Sequence, residues 1–190
     1  MKIGFFGGTF NPPHKGHEKI IDYCSEFFDE LLVFPNVTSP HKKKHPPIDS
    51  KHRINMLKLI IEKDNVKIDN YEIVSGLSNH TYYTIEYLLN KYENCTLCMV
   101  IGKDQLLNLA NWYNVDFILK NTSILCFDRT ITNGNDKNMI NLYPNTQIVE
   151  LNFPYSSSFI RKKIYKNETV SNLLISEKIK DYIYAHNLYI

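Results

Sequence analysis

KIGFFGGTFNPPHKGH, residues 2–17, passes from an apolar run through two glycines and a proline pair into a segment with helical spacing. KIGFF (2–6) is short and apolar enough for a buried strand. From His14 to about Phe28 the apolar residues Ile20, Ile21, Cys24 and Phe27 recur at helical intervals. Gly7 and Gly8 leave the backbone between strand and helix open to close approach by a phosphate. His14 and His17 are three apart and share one face of the first helical turn. Gly16 between them removes a side chain beside any ligand. A helix start adds N–H groups and the positive end of its dipole, which suit an anion. Two imidazoles there suit phosphoryl oxygens on which charge is growing. The segment is neither G-x-x-x-x-G-K-[ST] nor G-x-G-x-x-G.

Outward from this stretch, strand and helix patterns alternate. ELLVFP (30–35) reads as a strand, and 50–63 as a helix capped by Ser50. VKIDNYEIV (66–74) is strand-like, Thr81–Tyr92 helical, and TLCMVIG (96–102) a buried central strand. Two short helices are expected between 103 and 120. SILCFD and QIVEL are strands, and Ser156–Tyr165 and Thr169–His186 closing helices. The polar stretch 130–145, with Asn-Gly, reads as a surface loop. Such alternation predicts an α/β fold: a single-domain, doubly wound (Rossmann-like) parallel sheet with helices on both faces, over residues 1–190. Ligands of such sheets bind beyond the strand carboxyl ends, where the strand order reverses.

Composition narrows the partners. The 190 residues are 43% hydrophobic and 22% charged, which excludes a disordered chain. A net charge of +2 gives no footprint for nucleic acid. No apolar run reaches the roughly 20 residues of a membrane helix, and MKIGFFGGTF lacks a signal-peptide core. A cytoplasmic protein without nucleic-acid or membrane partners is expected, with a homo-oligomer left open. Cys95 and Cys98 form a C-x-x-C without a second pair. They read, with Cys24 and Cys126, as buried thiols in a reducing compartment and not as a zinc site.

Two further segments carry chemistry. In SSSFIRKKI (156–164), Ser156–Ser158 can cap a helix and offer hydroxyls to phosphate, and Arg161 follows one turn on, able to grip the same anion bidentately. In IGKDQLLNLANWYN (101–114), Gly102 and Asp104 place a carboxylate at the sheet edge, suited to ribose hydroxyls. Trp112, the only tryptophan, offers a π-face to a pyridine ring or packs in the core.

GGTFNPPHKGH resembles the signature G-x-F-D-P-x-H-x-G-H of the nucleotidyltransferases that adenylylate mononucleotides and phosphopantetheine, with Asn11 where Asp is usual. SSSFIRKKI resembles their second motif, I-S-S-T-x-I-R, with Tyr155 replacing its first Ile. I-G-x-D-x-L followed by W-Y is similar to the bacterial-type nicotinate mononucleotide adenylyltransferases. So are FPNVTSPHKK (34–43), SKHRINMLKLII (50–61) and SNHTYYTIEYL (78–88). The resemblance covers nearly the whole chain.

That resemblance implies that ATP and nicotinate mononucleotide give nicotinate adenine dinucleotide and pyrophosphate, with Mg2+ riding on the triphosphate and no metal site of the protein's own. His14, His17 and Arg161 become the catalytic set. Gly7, Gly8, Thr9, Phe10, Gly16, Gly102, Asp104, Ser157 and Ser158 would bind ATP. His41, Lys42, Thr81, Trp112 and Tyr113 would bind the mononucleotide, with Trp112 stacked on the ring, Thr81 near its carboxylate, and Arg53 structural. Nicotinamide mononucleotide and phosphopantetheine adenylyltransferases are the alternatives. Pro13-His14 and Arg161 point away from the latter, and no Arg-Thr-x-Gly-Ile-Ser-Thr stretch marks a cytidylyltransferase. A non-catalytic nucleotide-binding regulator would be expected to lack one of the two histidines or the arginine. No Asp or Glu in the sequence around Thr81 or Trp112 stands ready for an amide NH2; Glu86 lies more than a turn beyond Thr81.

Overall fold

The computed structural model describes residues 1–37, 46–77, 80–128, 143 and 145–190. Its elements run β1 (Lys2–Gly8), α1 (Lys15–Phe27), β2 (Glu30–Pro35), α2 (Ser50–Lys58), β3 (Val66–Ile68), α3 (Tyr71–Val74) and α4 (Thr81–Lys91). They continue through β4 (Thr96–Gly102), α5 (Lys103–Leu107), a 3-10 turn (Leu109–Asn111), α6 (Val115–Asn121), β5 (Thr122–Asp128), β6 (Thr146–Glu150), α7 (Ser157–Tyr165) and α8 (Glu177–Ala185). All strand pairs are parallel, in the order β3-β2-β1-β4-β5-β6. The chain winds one way from β1 and then the other, so the order reverses between β1 and β4.

The apolar strands are buried on both faces, as parallel strands covered by helices must be. Phe5, Leu32, Met99 and Ile124 point to one face, beneath Ile85 of α4, Leu106 of α5 and Ile118 of α6. Leu31, Val33, Val100 and Phe127 point to the other, beneath Ile20 and Cys24 of α1 and Leu57 of α2. Gly4 is required by close packing: a Cβ there would stand 2.3 Å from the Phe28 ring. A third cluster joins Met56 of α2 to Ile160, Ile164, Ile179 and Ile183 of α7 and α8.

Three elements differ from the sequence reading. VKIDNYEIV is a strand only to Ile68, because the Asp69 carboxylate accepts from the Tyr71 N–H at 2.9 Å and turns the chain into α3. The cap of α2 is Asp49, which accepts from Lys51 N–H at 2.8 Å, and the helix ends at Lys58 instead of 63. The two short helices expected between 103 and 120 are α5 and α6, with a 3-10 turn between them and Asn114 in the left-handed region at φ 52° before α6. Only Glu177–Ala185 of the expected final helix is helical. Val170, Leu174 and Ile175 are buried in irregular chain that Leu174 ties to α1 by accepting from Lys15 N–H at 2.9 Å. The expected loop at 130–145 lies almost wholly outside the described residues. All four cysteines are free thiols; Cys95 is half-buried and the other three buried.

Candidate active site

A cavity of about 460 Å³ opens at the carboxyl ends of β1 and β4, at the reversal of strand order. Residues from both faces of the sheet converge on it. Gly7, Gly8, Thr9 and Phe10 line it from the end of β1, and His14 and His17 from α1. Ser157, Ser158 and Arg161 reach it from α7. Thr81, Asp104, Trp112 and Tyr113 close it from the α4–α6 side.

The two histidines cap α1 reciprocally. His14 Nδ1 accepts from the N–H groups of Gly16 (3.1 Å) and His17 (3.3 Å), while His14 N–H donates to His17 Nδ1 at 3.1 Å. This is a capping box built from imidazoles. With both Nδ1 atoms accepting, the ring protons are placed on Nε2, so each ring presents an N–H donor at its outer edge. The rings stack with centroids 3.7 Å apart. Phe153 backs His14 at 5.0 Å, and Phe10 meets His17 edge-on at 5.0 Å.

Arg161 is fixed to the same loop. Its Nη1 donates to Asn11 O at 2.6 Å and its Nη2 to Ser158 Oγ at 3.2 Å. Ser157 Oγ donates to Pro12 O at 2.8 Å, so α7 is stitched to the β1–α1 connection from 145 residues away. Ser156 is the N-cap, accepting from Phe159 N–H at 3.3 Å. Asn11 Oδ1 accepts from the Tyr189 hydroxyl at 2.8 Å. Burial pushes the Tyr189 phenol up, so it stays a donor. An Asp at position 11 would serve the same hydrogen bond, which is why Asn is tolerated there.

Gly16 and Gly102 act behind the cavity and not in its lining. A Cβ on Gly16 would stand 2.6 Å from the Phe153 ring and 3.0 Å from His14, so its absence lets the histidine pair seat. Gly102 caps α5, its N–H donating to Gln105 Oε1 at 3.1 Å. His41 and Lys42 lie outside the described residues. Trp112 is half-buried: it packs against the core cluster under α4–α6 and lines the cavity as well. Tyr113 is 53% exposed, which puts it at the cavity's rim.

One residue read as structural gains its partners, and one escaped the sequence reading. Arg53 is 1% exposed, and its structural part is now explicit: Nη1 donates to Thr9 O and Asn36 O, both at 2.7 Å, and Nε to Ile48 O at 3.1 Å. Glu72 contradicts the expectation that no Asp or Glu stands near Thr81 or Trp112, for it lines the same cavity as both. Burial pushes its carboxyl up to about 7; the hydrogen bond from Thr84 Oγ1, 2.8 Å long, offsets part of this, and Asp69 adds to it. Position 72 was hidden inside a segment read as strand.

A carboxyl raised in the folded state stabilises the fold fully below its unfolded value of about 4.5 and loses that contribution as pH rises through about 7. Between pH 4.5 and 8 Glu72 should therefore cost on the order of 3 kcal/mol of stability, a slope that Glu72→Gln removes. Urea unfolding of both proteins at pH 5 and 8 measures the difference. Parallel pH dependences would mean that Glu72 ionises freely in the folded protein.

The cytidylyltransferase-like family profile matches residues 5–163. The nicotinate-nucleotide adenylyltransferase of Bacillus subtilis is 32% identical over 191 residues, covering 99% of this chain and 98% of its own. A probable nicotinate-nucleotide adenylyltransferase of Flavobacterium johnsoniae is 32% identical over 193 residues, covering 100% and 99%. The solved Plasmodium falciparum nicotinic acid mononucleotide adenylyltransferase, complexed with NaAD, superposes with a TM-score of 0.84 at 20% identity over 99% of this chain and 97% of its own. Sequence, fold and the placement of the motif residues agree: the chain belongs to the nicotinate-nucleotide adenylyltransferases, within the cytidylyltransferase-like family.

Proposed function

We propose that this chain, acting as one domain, joins ATP and nicotinate mononucleotide to give nicotinate adenine dinucleotide and pyrophosphate. The observation that carries the reading is the cavity at the strand-order reversal, with two Nε2 donors and a guanidinium entering from α1 and α7 and a Trp112–Thr81 wall from the opposite face. The mononucleotide phosphate oxygen attacks the α-phosphorus of ATP in line. The new P–O bond forms as the bond to the β-phosphate oxygen breaks, and pyrophosphate leaves with that electron pair. The attacking group is already anionic, so no side chain has to serve as nucleophile. Catalysis is positioning plus charge stabilisation. His14 and His17 donate to phosphoryl oxygens, and Arg161, held by Asn11 O and Ser158, faces the same charge. Asp104 accepts from ribose hydroxyls.

Magnesium belongs to this reading as the ion that screens the triphosphate. The lining donors are imidazoles, hydroxyls, amides and the carboxylates of Glu72 and Asp104. Such a set suits an ion that brings most of its ligands as phosphate oxygens and water.

The acid is favoured over the amide below neutrality. His80, the N-cap of α4, makes no side-chain cap, which leaves first-turn N–H groups beside Thr81 for an anion. Pyrophosphate release measured in parallel with both mononucleotides should give at least about a tenfold preference in kcat/KM for nicotinate mononucleotide at pH 6, or about 1.4 kcal/mol. Equal efficiencies there would show that the pocket reads the ring and not its charge. Release with neither would overturn the reading.

A further inference from the structure

Glu72 is a titratable group of the cavity that phosphoryl transfer leaves unused. It stands on α3, the helical turn that Asp69 starts after β3. Thr84 Oγ1 donates to its Oε1 at 2.8 Å. Thr84 and Thr81 are three apart on α4 and so share a face, which puts the carboxyl one helical turn below the start of α4. Across from it lies Gly7, where a Cβ would stand 3.8 Å from Oε1. Nothing bulkier than a glycine backbone therefore separates the carboxyl from the end of β1. Gly7, Glu72, Thr81 and Trp112 share one cavity.

We propose that Glu72 is a specificity-determining residue of the mononucleotide pocket, reading whether the pyridine ring carries a carboxylate or a carboxamide. The inference rests on the adenylyltransferase reading above. With Thr84 donating to Oε1, a protonated Glu72 carries its proton on Oε2 and has an O–H to give to a carboxylate. The ionised form has only acceptors: it repels the acid and takes a hydrogen bond from the amide NH2. Burial holds the changeover near neutrality, at about 7.

The surrounding charges are few in kind. Asp69, at the end of β3, raises Glu72 and is itself held by Lys91 of α4 at 2.8 Å. Tyr71 shares the turn with Glu72, and Glu86 of α4 is engaged by the Tyr82 hydroxyl at 2.6 Å. His80, Asp104, His14 and His17 line the cavity from the start of α4, from α5 and from α1, and β1 presents Gly7. With these groups nearby the pH profile alone does not single out Glu72, and the variant does.

The experiment is kcat/KM for nicotinate and nicotinamide mononucleotide at saturating ATP, at pH 6 and 8, for the wild type and Glu72→Gln. The two substrates share their phosphate, so its titration and that of the histidines acting on it cancel in the ratio. In the wild type the acid-to-amide ratio should fall at least about fivefold from pH 6 to 8, and in Glu72→Gln change less than about twofold. A flat wild-type ratio, or a fall that survives in Glu72→Gln, overturns the proposal. If Glu72→Gln does not fold, Thr84→Val replaces it: loss of the donor should move the midpoint of the fall to higher pH, and an unmoved midpoint counts against Glu72. Brisk turnover with a flat ratio sinks Glu72 alone, whereas turnover of neither substrate sinks the adenylyltransferase reading with it.

Discussion

His17→Ala is expected to lower kcat by about 100- to 1000-fold, the usual cost of one donor aimed at developing phosphoryl charge, while ATP affinity changes little. The ring stands on the first turn of α1, at the carboxyl end of β1, with Nδ1 committed to the His14 N–H at 3.1 Å. With Nδ1 so engaged, it is the Nε2 edge of the ring that would meet a phosphoryl oxygen. Alanine removes that donor, but it also removes half of the reciprocal cap, worth about 1 kcal/mol of stability. The two effects separate in His17→Gln. Position 17 is the third residue of the helix, where Gln is an ordinary capping-box partner for the N-cap N–H. The Gln variant should melt near the wild-type temperature and still lose most of kcat. Steady-state kinetics with thermal melts of both variants decide it, and a kcat within about threefold of wild type in either would remove His17 from the chemistry.

What the sequence made legible is what is local in sequence. The β1–α1 connection was readable because its glycines, histidines and helix start fall within eleven residues. The reciprocal cap itself was not read from the sequence, because imidazoles are unusual capping groups. α7 was readable for the same reason, with Ser156, Ser158 and Arg161 inside one turn and a half. Glu72 was not, because its importance comes from Gly7, 65 positions before it, and Thr84, 12 after. Its own segment alternates like a strand until a single Asx turn at Asp69 ends it. The irregular stretch before α8 misled for a related reason: Val170, Leu174 and Ile175 fall at helical intervals but are buried by the third core cluster, not by a helix face. The tie from Tyr189 to Asn11 spans 178 positions, and no pattern along the chain announces it.

Arg53 is the clearest case of a residue whose part is set wholly by distant partners, and its removal should be the largest single loss of stability. Arg53 is 1% exposed, and its guanidinium spans three carbonyls, those of Thr9, Asn36 and Ile48. Thr9 and Asn36 belong to the chain just after β1 and just after β2, so one side chain fixes the spacing of both connections at the rim of the cavity. Met56, one turn on in α2, is itself fully buried against α7 and α8, so the backbone that carries Arg53 cannot swing away to relieve a loss. In Arg53→Met the three half-buried carbonyls lose their donor. At about 1–3 kcal/mol for each unsatisfied group, less whatever water enters, the expected cost is about 3–5 kcal/mol. For a chain of this length that lowers Tm by on the order of 10 °C. Arg53→Lys keeps the charge but gives up the fork; an ammonium can serve Thr9 and Asn36 but not Ile48 at the same time, so about half the loss should return. Because Thr9 lies between the glycines and the histidines, the Lys variant should also show a lowered kcat, at temperatures well below its melting point. Chemical denaturation of Arg53→Met, Arg53→Lys and wild type measures the order. A Met variant within about 1 kcal/mol of wild type would mean that water replaces the guanidinium without loss, and that the two connections hold their spacing unaided.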